Sequence, residues 1–227
     1  MPTTVQYAPG RAADIFGDPA APAVLLWHGM QTDSRAAVGP LAELIAGRGF
    51  GVVAPDWDSH ADDGGRSDLL QSVEYARSWG TGSERLALVG WSMGGAAAAG
   101  LTVHAARLGV EISHTVCLAG AFMVAEPISG EPPGSSLSAE SAGAPFTLLH
   151  GVDDDVVPLS VSRTFAADLG HVGWPVRLVE LPADHATIAG ARYDAATDRY
   201  APAADAATLQ TAELVAGHIT DALRRPN

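Results

Sequence analysis

A serine flanked by glycines is the residue of this 227-residue chain whose surroundings best fit a chemical role. The segment Gly90-Trp91-Ser92-Met93-Gly94 follows an apolar run at 84–89 and precedes a run of small residues at 95–101. This order predicts a buried strand, a sharp turn and a helix, and such a turn lifts a serine hydroxyl above the sheet edge as a nucleophile. The glycines allow close backbone approach, and the helix N-terminus supplies partial positive charge for an oxyanion. The alternative interpretation is a glycine-rich turn with an idle serine.

A nucleophilic serine needs a base, and histidines supply the candidates. Where a serine stands at such a turn, the catalytic groups follow in the order serine, acid, histidine, which leaves His171, His185 and His218. His218 lies within a predicted helix and His171 near the end of another, and both are expected at the surface. His185 follows a strand-like run at 176–181 and the turn at 182–184, and ligands bind beyond the C-terminal ends of strands in open α/β sheets. We therefore predict that His185 is the base.

The acid that orients this histidine is expected among three consecutive carboxylates. Asp153, Asp154 and Asp155 come directly after the apolar run at 145–149. Mutual repulsion disfavours burying three adjacent carboxylates together. One of them should turn inward to His185 while the other two face water, and the spacing alone does not choose among them.

The elements that must position these residues alternate along the chain. Apolar runs separated by helical patterns predict an α/β fold, with a mostly parallel central sheet and helices on both faces. The predicted strands are 23–27, 51–54, 85–89, 114–119, 145–149 and 175–181, and the predicted helices are 34–48, 66–79, 92–108, 159–169 and 204–225. We predict a single domain over 1–227, in which the Pro-, Gly- and Ser-rich segment 126–143 forms a short irregular cap.

These motifs resemble those of the α/β-hydrolase superfamily, especially its small carboxylesterase and dienelactone-hydrolase-like members. The resemblance covers nearly the whole chain and rests on His28-Gly29, Gly90 through Gly95, Gly151 through Pro158, and Asp184-His185. Family members commonly carry the pattern H-G-x-x-D-x-x-V-P around the acid. In this chain the pattern matches His150, Gly151, Asp154, Val157 and Pro158, so the resemblance implies that Asp154 is the acid.

The resemblance also implies where an oxyanion would be held. It assigns the oxyanion hole to the backbone N–H groups of Met30, after the first strong strand, and of Met93, after the nucleophile. Many esterases with a similar N-terminal layout carry H-G-G and an aromatic residue here, whereas this chain has Met30-Gln31-Thr32, which argues against the bulky-ester and kynurenine-formamidase branches. Trp57, Phe122 and Met123 are predicted to form a shallow substrate pocket.

Composition restricts the partners of the protein. A net charge of −13 and an isoelectric point near 4.8 argue against nucleic-acid and anionic-membrane partners. The single cysteine, Cys117, excludes an intrachain disulfide framework, and the first residues lack the basic and apolar regions of a secretion signal, so we expect a cytoplasmic protein. The chain carries neither a dinucleotide fingerprint nor a P-loop lysine, and the oxygen-rich loop 56–63 is expected to be solvated. We therefore predict no cofactor and no metal; the sequence leaves the oligomeric state open.

Together these features predict a hydrolase that cleaves a small-molecule carboxylic ester through an acyl-enzyme. Ser92 would attack the carbonyl, His185 would move the proton, and Asp154 would fix the imidazole. The acyl group should be short, because the segment 126–143 has Ile128 and Leu137 as its only large aliphatic residues and cannot build an apolar tunnel. The alternatives are amide or thioester hydrolysis or acyl transfer by the same residues, or a catalytically silent binding protein on a hydrolase fold.

Overall fold

The central element of the computed structural model, which describes residues 2–80, 85–139 and 143–225, is an eight-stranded sheet in the order β1-β2-β4-β3-β5-β6-β7-β8. Its strands are β1 (Thr3–Ala8), β2 (Arg11–Phe16), β3 (Ala23–Trp27), β4 (Gly51–Pro55), β5 (Leu86–Trp91), β6 (Ile112–Leu118), β7 (Phe146–Gly151) and β8 (Val176–Leu181). Strand β3 pairs in parallel with β4 and β5, and β5 to β8 continue the parallel order. Strand β2 pairs antiparallel with both β4 and β1 at one edge. The predicted mostly parallel sheet is confirmed.

Helices cover both faces of this sheet. They are α1 (Gly39–Ala46), α2 (Arg66–Ser78), α3 (Met93–Val103), α4 (Ala105–Leu108), α5 (Leu159–His171) and α6 (Ala206–Leu223). Helices α1 and α6 pack on one face, and α2, α3 and α5 pack on the other. No helix within the described residues is long and apolar enough to cross a membrane.

Strand β3 shows why the central strands are continuous apolar runs. Val24 and Leu26 pack toward α1 and α6, whereas Leu25 and Trp27 pack toward α2 and α3. Successive side chains of a strand point to opposite faces, and here both faces are covered. All five residues of the strand are therefore buried.

The sequence analysis did not predict two hairpins that the structure contains. Strands β1 and β2 lie at the sheet edge and are partly exposed, so their apolar residues are too sparse to stand out. A separate antiparallel hairpin, β9 (Ala191–Asp194) and β10 (Arg199–Pro202), comes between the loop of His185 and α6. Its strands have four residues each and are largely exposed, which hides any apolar pattern.

Two predicted helices are interrupted or shortened in the structure, and the predicted cap is irregular as far as the structure describes it. The predicted helix 92–108 is interrupted at His104 between α3 and α4, and the predicted helix 34–48 begins only at Gly39, after a 3₁₀ turn at Arg35–Val38. The predicted cap follows an irregular path through 126–139 with a 3₁₀ turn at Pro133–Ser136. Residues 140–142 of that cap lie outside the described residues.

The parallel strands bring the predicted chemistry to one edge of the sheet. Ser92 directly follows β5, Asp154 follows the end of β7, and His185 follows the end of β8. The loop that carries Met30 follows β3, the neighbour of β5. Because parallel strands end at the same edge, residues far apart in sequence become neighbours there.

Candidate active site

The backbone of Ser92 adopts the sharp turn expected at the end of β5. Its φ of 57° and ψ of −119° lie in a region that residues with a side chain rarely occupy. Backbone hydrogen bonds maintain this conformation: the Ser92 N–H donates to the Leu118 carbonyl at 2.9 Å, and the Ser92 carbonyl accepts from the N–H groups of Ala96 and Ala121, each at 3.1 Å. Such a backbone costs about 1–3 kcal/mol and persists only where its surroundings enforce it. Ser92 is thereby held at the N-terminus of α3.

The glycines on either side of Ser92 are needed for close packing. A Cβ atom on Gly90 would lie 2.2 Å from the carbonyl oxygen of Gly94, and one on Gly94 would lie 2.2 Å from the carbonyl oxygen of His28. Both distances are far below van der Waals contact. Any side chain at these positions would push the turn away from β3 or distort it.

A carboxylate–histidine pair lies at the ends of β7 and β8. His185 Nδ1 is 2.8 Å from Asp154 Oδ2, and the Asp154 side chain is fully buried. Asp153 and Asp155 are exposed. The structure thus places in contact with His185 the carboxylate that the family resemblance implied and that spacing alone left open.

A second histidine contacts the same carboxylate. His150 is fully buried, and its Nε2 lies 2.9 Å from the Val157 carbonyl and 3.4 Å from Asp154 Oδ2. Both of these oxygens only accept hydrogen bonds, so Nε2 carries a proton, and Nδ1 forms a hydrogen bond with Ser162 Oγ at 2.7 Å. Burial alone would raise the pKa of Asp154, but hydrogen bonds from His150, His185 and the Val157 N–H outweigh it and hold that pKa well below its usual range. Asp154 is therefore ionised in the folded protein at neutral pH.

The loop of His185 is fixed on both sides of the imidazole. Trp91 Nε1 donates to the His185 carbonyl at 2.8 Å, and the two rings lie 5.5 Å apart. The carboxylate of Asp184 accepts hydrogen bonds from two backbone N–H groups of the following turn. With Nδ1 directed at Asp154, Nε2 is the ring nitrogen left for Ser92, and His185 and Ser92 line the same cleft.

This cleft has a volume of about 230 Å³ and is built from separate parts of the chain. The loop after β3, the turn at Ser92 and the β9–β10 hairpin all contribute lining residues, among them Met30, Gln31, Trp91, Tyr193, Asp198 and Tyr200. Sequence reasoning missed the hairpin residues entirely. One feature of the sequence could have indicated the hairpin residues: they come shortly after the predicted base, His185.

The predicted substrate pocket of Trp57, Phe122 and Met123 is wrong as a description of this cleft, whose lining within the described residues contains none of them. Trp57 is completely buried, because its ring stacks on His28 at 5.5 Å. Phe122 is buried too, stacked on Phe165 of α5 at 4.2 Å. Met123 lines, with Phe122, a different groove between the cap and α5.

His28 ties the loop after β3 to the core. Its Nδ1 donates to the Gly29 carbonyl at 2.8 Å, and its Nε2 accepts from the N–H groups of Ser34 at 3.3 Å and Trp57 at 3.2 Å. Burial lowers the pKa of His28 to about 3, so the ring is neutral and can accept these bonds. Histidine at this position is thus a structural requirement for the loop between Gly29 and Ser34.

The two residues implied for the oxyanion hole lie in the loop after β3 and at the start of α3. Met30 belongs to the loop that His28 anchors and lines the cleft with Ser92. Met93 is the first residue of α3, where backbone N–H groups have no partner within the helix. Such a free N–H near the positive end of the helix dipole is suited to an oxyanion.

The order along the chain, with a serine at a strand–helix turn, then a carboxylate and then a histidine at the same sheet edge, is the arrangement that recurs in α/β hydrolases. The chain belongs to the alpha/beta hydrolase family, whose model matches residues 24–225. No curated protein sequence matches the chain significantly.

Solved structures of similar fold include esterase 2 of the planctomycete Thermogutta terrifontis. The tabun-treated form matches with a TM-score of 0.72 at 19% identity, over 100% of this chain and 97% of that chain. The propionate-bound form matches with a TM-score of 0.72 at 19% identity, over 100% and 96% of the two chains. The butyrate-bound form matches with a TM-score of 0.71 at 18% identity, over 97% and 94%. At these identities the likeness shows the fold.

Proposed function

We propose that this protein is a serine hydrolase that cleaves carboxylic esters with short acyl groups through an acyl-enzyme. The observation that carries the proposal is the buried Asp154–His185 pair, joined at 2.8 Å, in the cleft that also contains Ser92. A carboxylate in this position stabilises the imidazolium that forms when histidine accepts the proton of serine.

In the acylation step, Ser92 Oγ attacks the ester carbonyl while His185 Nε2 accepts its proton. The backbone N–H groups of Met30 and Met93 stabilise the negative charge on the carbonyl oxygen, and each such donor contributes about 2.7–4 kcal/mol. The carbon–oxygen bond to the alcohol then breaks, and the imidazolium of His185 gives its proton to the departing oxygen. The products are a free alcohol and an acyl group on Ser92.

In the deacylation step, water takes the place of the alcohol beside His185. The imidazole removes a proton from the water as it attacks the acyl carbonyl, and the same N–H groups hold the second tetrahedral oxyanion. Collapse of that intermediate returns the proton to Ser92 Oγ and releases the carboxylic acid. Asp154 stays ionised throughout, which its depressed pKa supports.

The size of the cleft supports a short acyl group. Its volume of about 230 Å³ lies below the roughly 300–1,000 Å³ typical of sites for larger ligands. The structures of Thermogutta terrifontis esterase 2 with propionate or butyrate bound support the same size class in that fold. We infer a preference for acyl groups of about two to four carbons. Each further methylene would contribute about 0.8 kcal/mol to binding only if an apolar wall buried it.

The test combines covalent labelling with a substrate series. A fluorophosphonate probe should label Ser92, as mapped by mass spectrometry, and Ser92→Ala should abolish both labelling and hydrolysis. Among 4-nitrophenyl esters, kcat/KM should peak at acetate to butyrate and fall for octanoate. Labelling of another serine, or a steady rise of kcat/KM with acyl length, would contradict the proposal.

A further inference from the structure

The β9–β10 hairpin is fastened to the loop that carries Met30, from a position about 170 residues further along the chain. The side-chain amide of Gln31 pairs with the hairpin backbone, donating from Nε2 to the Asp198 carbonyl and accepting at Oε1 from the Tyr200 N–H, both at 2.8 Å. Arg199 adds a third bond, from Nη2 to the Thr32 carbonyl at 2.6 Å. The amide of Gln31 thus replaces the backbone partner that a neighbouring strand would offer.

The hairpin places two tyrosine rings beside the catalytic pair. The Tyr200 ring packs edge-on against Trp91 at 4.9 Å and lies 6.1 Å from the His185 ring. The Tyr193 ring lies 5.3 Å from Tyr200, and its hydroxyl donates to the Asp198 carboxylate. Together the two rings make an aromatic wall, in which Tyr200 lies beside His185 and Tyr193, which is 50% exposed, forms the outer part.

This wall separates two spaces of different size. On one side is the cleft of about 230 Å³ that contains Ser92, and on the other is a groove of about 670 Å³ bordered by Asp155 and Arg192. Val156, His185, Tyr193 and Tyr200 line both spaces. Removing a tyrosine ring would therefore join a small cleft to a much larger groove.

The position of the wall identifies which part of a substrate it would touch. In the proposed reaction, His185 gives its proton to the departing oxygen, so the alcohol must lie beside the imidazole when the bond breaks. Tyr200 of the hairpin lies 6.1 Å from that imidazole, and Tyr193 and Val156 line the cleft with it. We propose that the β9–β10 hairpin is the leaving-group wall of the site, that Tyr193 limits the size of the alcohol, and that Gln31 is the positioning residue that fastens the wall. This inference rests on the proposed serine-hydrolase function.

The experiment varies the alcohol while the acyl group stays the same. Acetates of phenol, 4-tert-butylphenol and 4-phenylphenol have leaving groups of similar acidity and increasing size, and all form the same acetyl-enzyme. Wild type should prefer phenyl acetate. In Tyr193→Ala the ratio of kcat/KM for 4-phenylphenyl acetate to that for phenyl acetate should rise about tenfold or more, the scale on which pocket size discriminates between substrates. Tyr193→Phe keeps the ring but loses the hydroxyl bond to Asp198, so the ratio between the two acetates should not rise even where kcat/KM itself changes.

Gln31→Met tests whether the side-chain amide holds the hairpin in place, and it does so without creating a cavity. It removes both amide hydrogen bonds at nearly constant volume, so the wall is held less firmly and the same ratio should rise. The matched control is Gln71→Met on the exposed face of α2, which should leave the ratio unchanged. A purely structural role for Gln31 would lower the melting temperature, measured by circular dichroism, without moving the ratio.

A second series separates the alcohol side from the acyl side. The ratio of kcat/KM for 4-nitrophenyl octanoate to that for 4-nitrophenyl acetate should be the same in wild type and Tyr193→Ala. A change in this ratio alone would place the wall on the acyl side and overturn the inference, as would an unchanged alcohol ratio in an active, folded Tyr193→Ala. If wild type cleaves no ester and Ser92 is not labelled, the proposed function fails first and the inference fails with it.

Discussion

At the scale of single residues, the contact between Asp154 and His185 leads to a prediction about three neighbouring carboxylates. Asp154→Asn should lower kcat by about 10⁴, because an amide cannot stabilise the imidazolium and favours the wrong tautomer of the ring. Asp153→Asn and Asp155→Asn are matched controls on exposed side chains and should change kcat less than about twofold. Steady-state hydrolysis of 4-nitrophenyl acetate by the three variants measures this. A large loss in either control would show that the Asp154 contact is not the one used in turnover.

Residue identities could be predicted from sequence where spacing and backbone geometry constrain them. Ser92 stands out because the close-packed turn after β5 needs Gly90 and Gly94, and His185 stands out because it follows a strand end. The direction of an apolar side chain is not encoded in this way. Trp57 also follows a strand end, yet its ring turns inward onto His28 and leaves the cleft to other residues.

At the scale of elements, the turn between β5 and α3 should tolerate no Cβ at Gly94. In Gly94→Ala the new methyl group would meet the His28 carbonyl at 2.2 Å, so either Ser92 or the loop of Met30 must move. We expect the loss of most esterase activity and of fluorophosphonate labelling, together with a lower melting temperature. Gly217→Ala in α6 is the matched control, since nothing lies within 4 Å of its Cβ position, and it should raise stability by about 0.5–1 kcal/mol with activity unchanged. Full activity in Gly94→Ala would mean that this close approach is not required.

The strands that are most deeply buried are the ones that the sequence predicted most clearly. Strands such as β3 and β5 are covered on both faces and appear in the sequence as unbroken apolar runs. Strands β9 and β10 are exposed and depend on partners far along the chain, above all on Gln31, which no local pattern reveals. The hairpin side of the cleft is therefore the part that only the folded structure shows.

At the scale of the whole molecule, buried neutral histidines make stability depend on pH. Burial lowers the pKa of His28 to about 3 and that of His114 to about 4, whereas an unfolded histidine titrates near 6.5. Between these limits the unfolded chain binds protons that the native protein does not, so acid favours unfolding. The stabilisation is complete above pH ~6.5 and is lost progressively as the pH falls toward the folded pKa values, about 4 for His114 and about 3 for His28. The depressed pKa of Asp154 extends the loss below the ordinary aspartate range.

Two histidines titrating in this way should each reduce the free energy of unfolding by about 2 kcal/mol between pH 8 and pH 5. Buried Glu126 acts in the opposite direction, because burial raises its pKa and favours the folded protein in acid. His114 lies away from the cleft and pairs with Thr147 Oγ1 at 2.9 Å, so His114→Gln can keep a hydrogen bond while removing the titration. Urea unfolding of both proteins at pH 8, 6 and 5 should show that the free energy of unfolding depends less steeply on pH in the variant. Between pH 6 and pH 5 the difference in slope should correspond to up to one bound proton. Parallel slopes for wild type and variant would show that His114 binds a proton equally well in the folded and the unfolded protein.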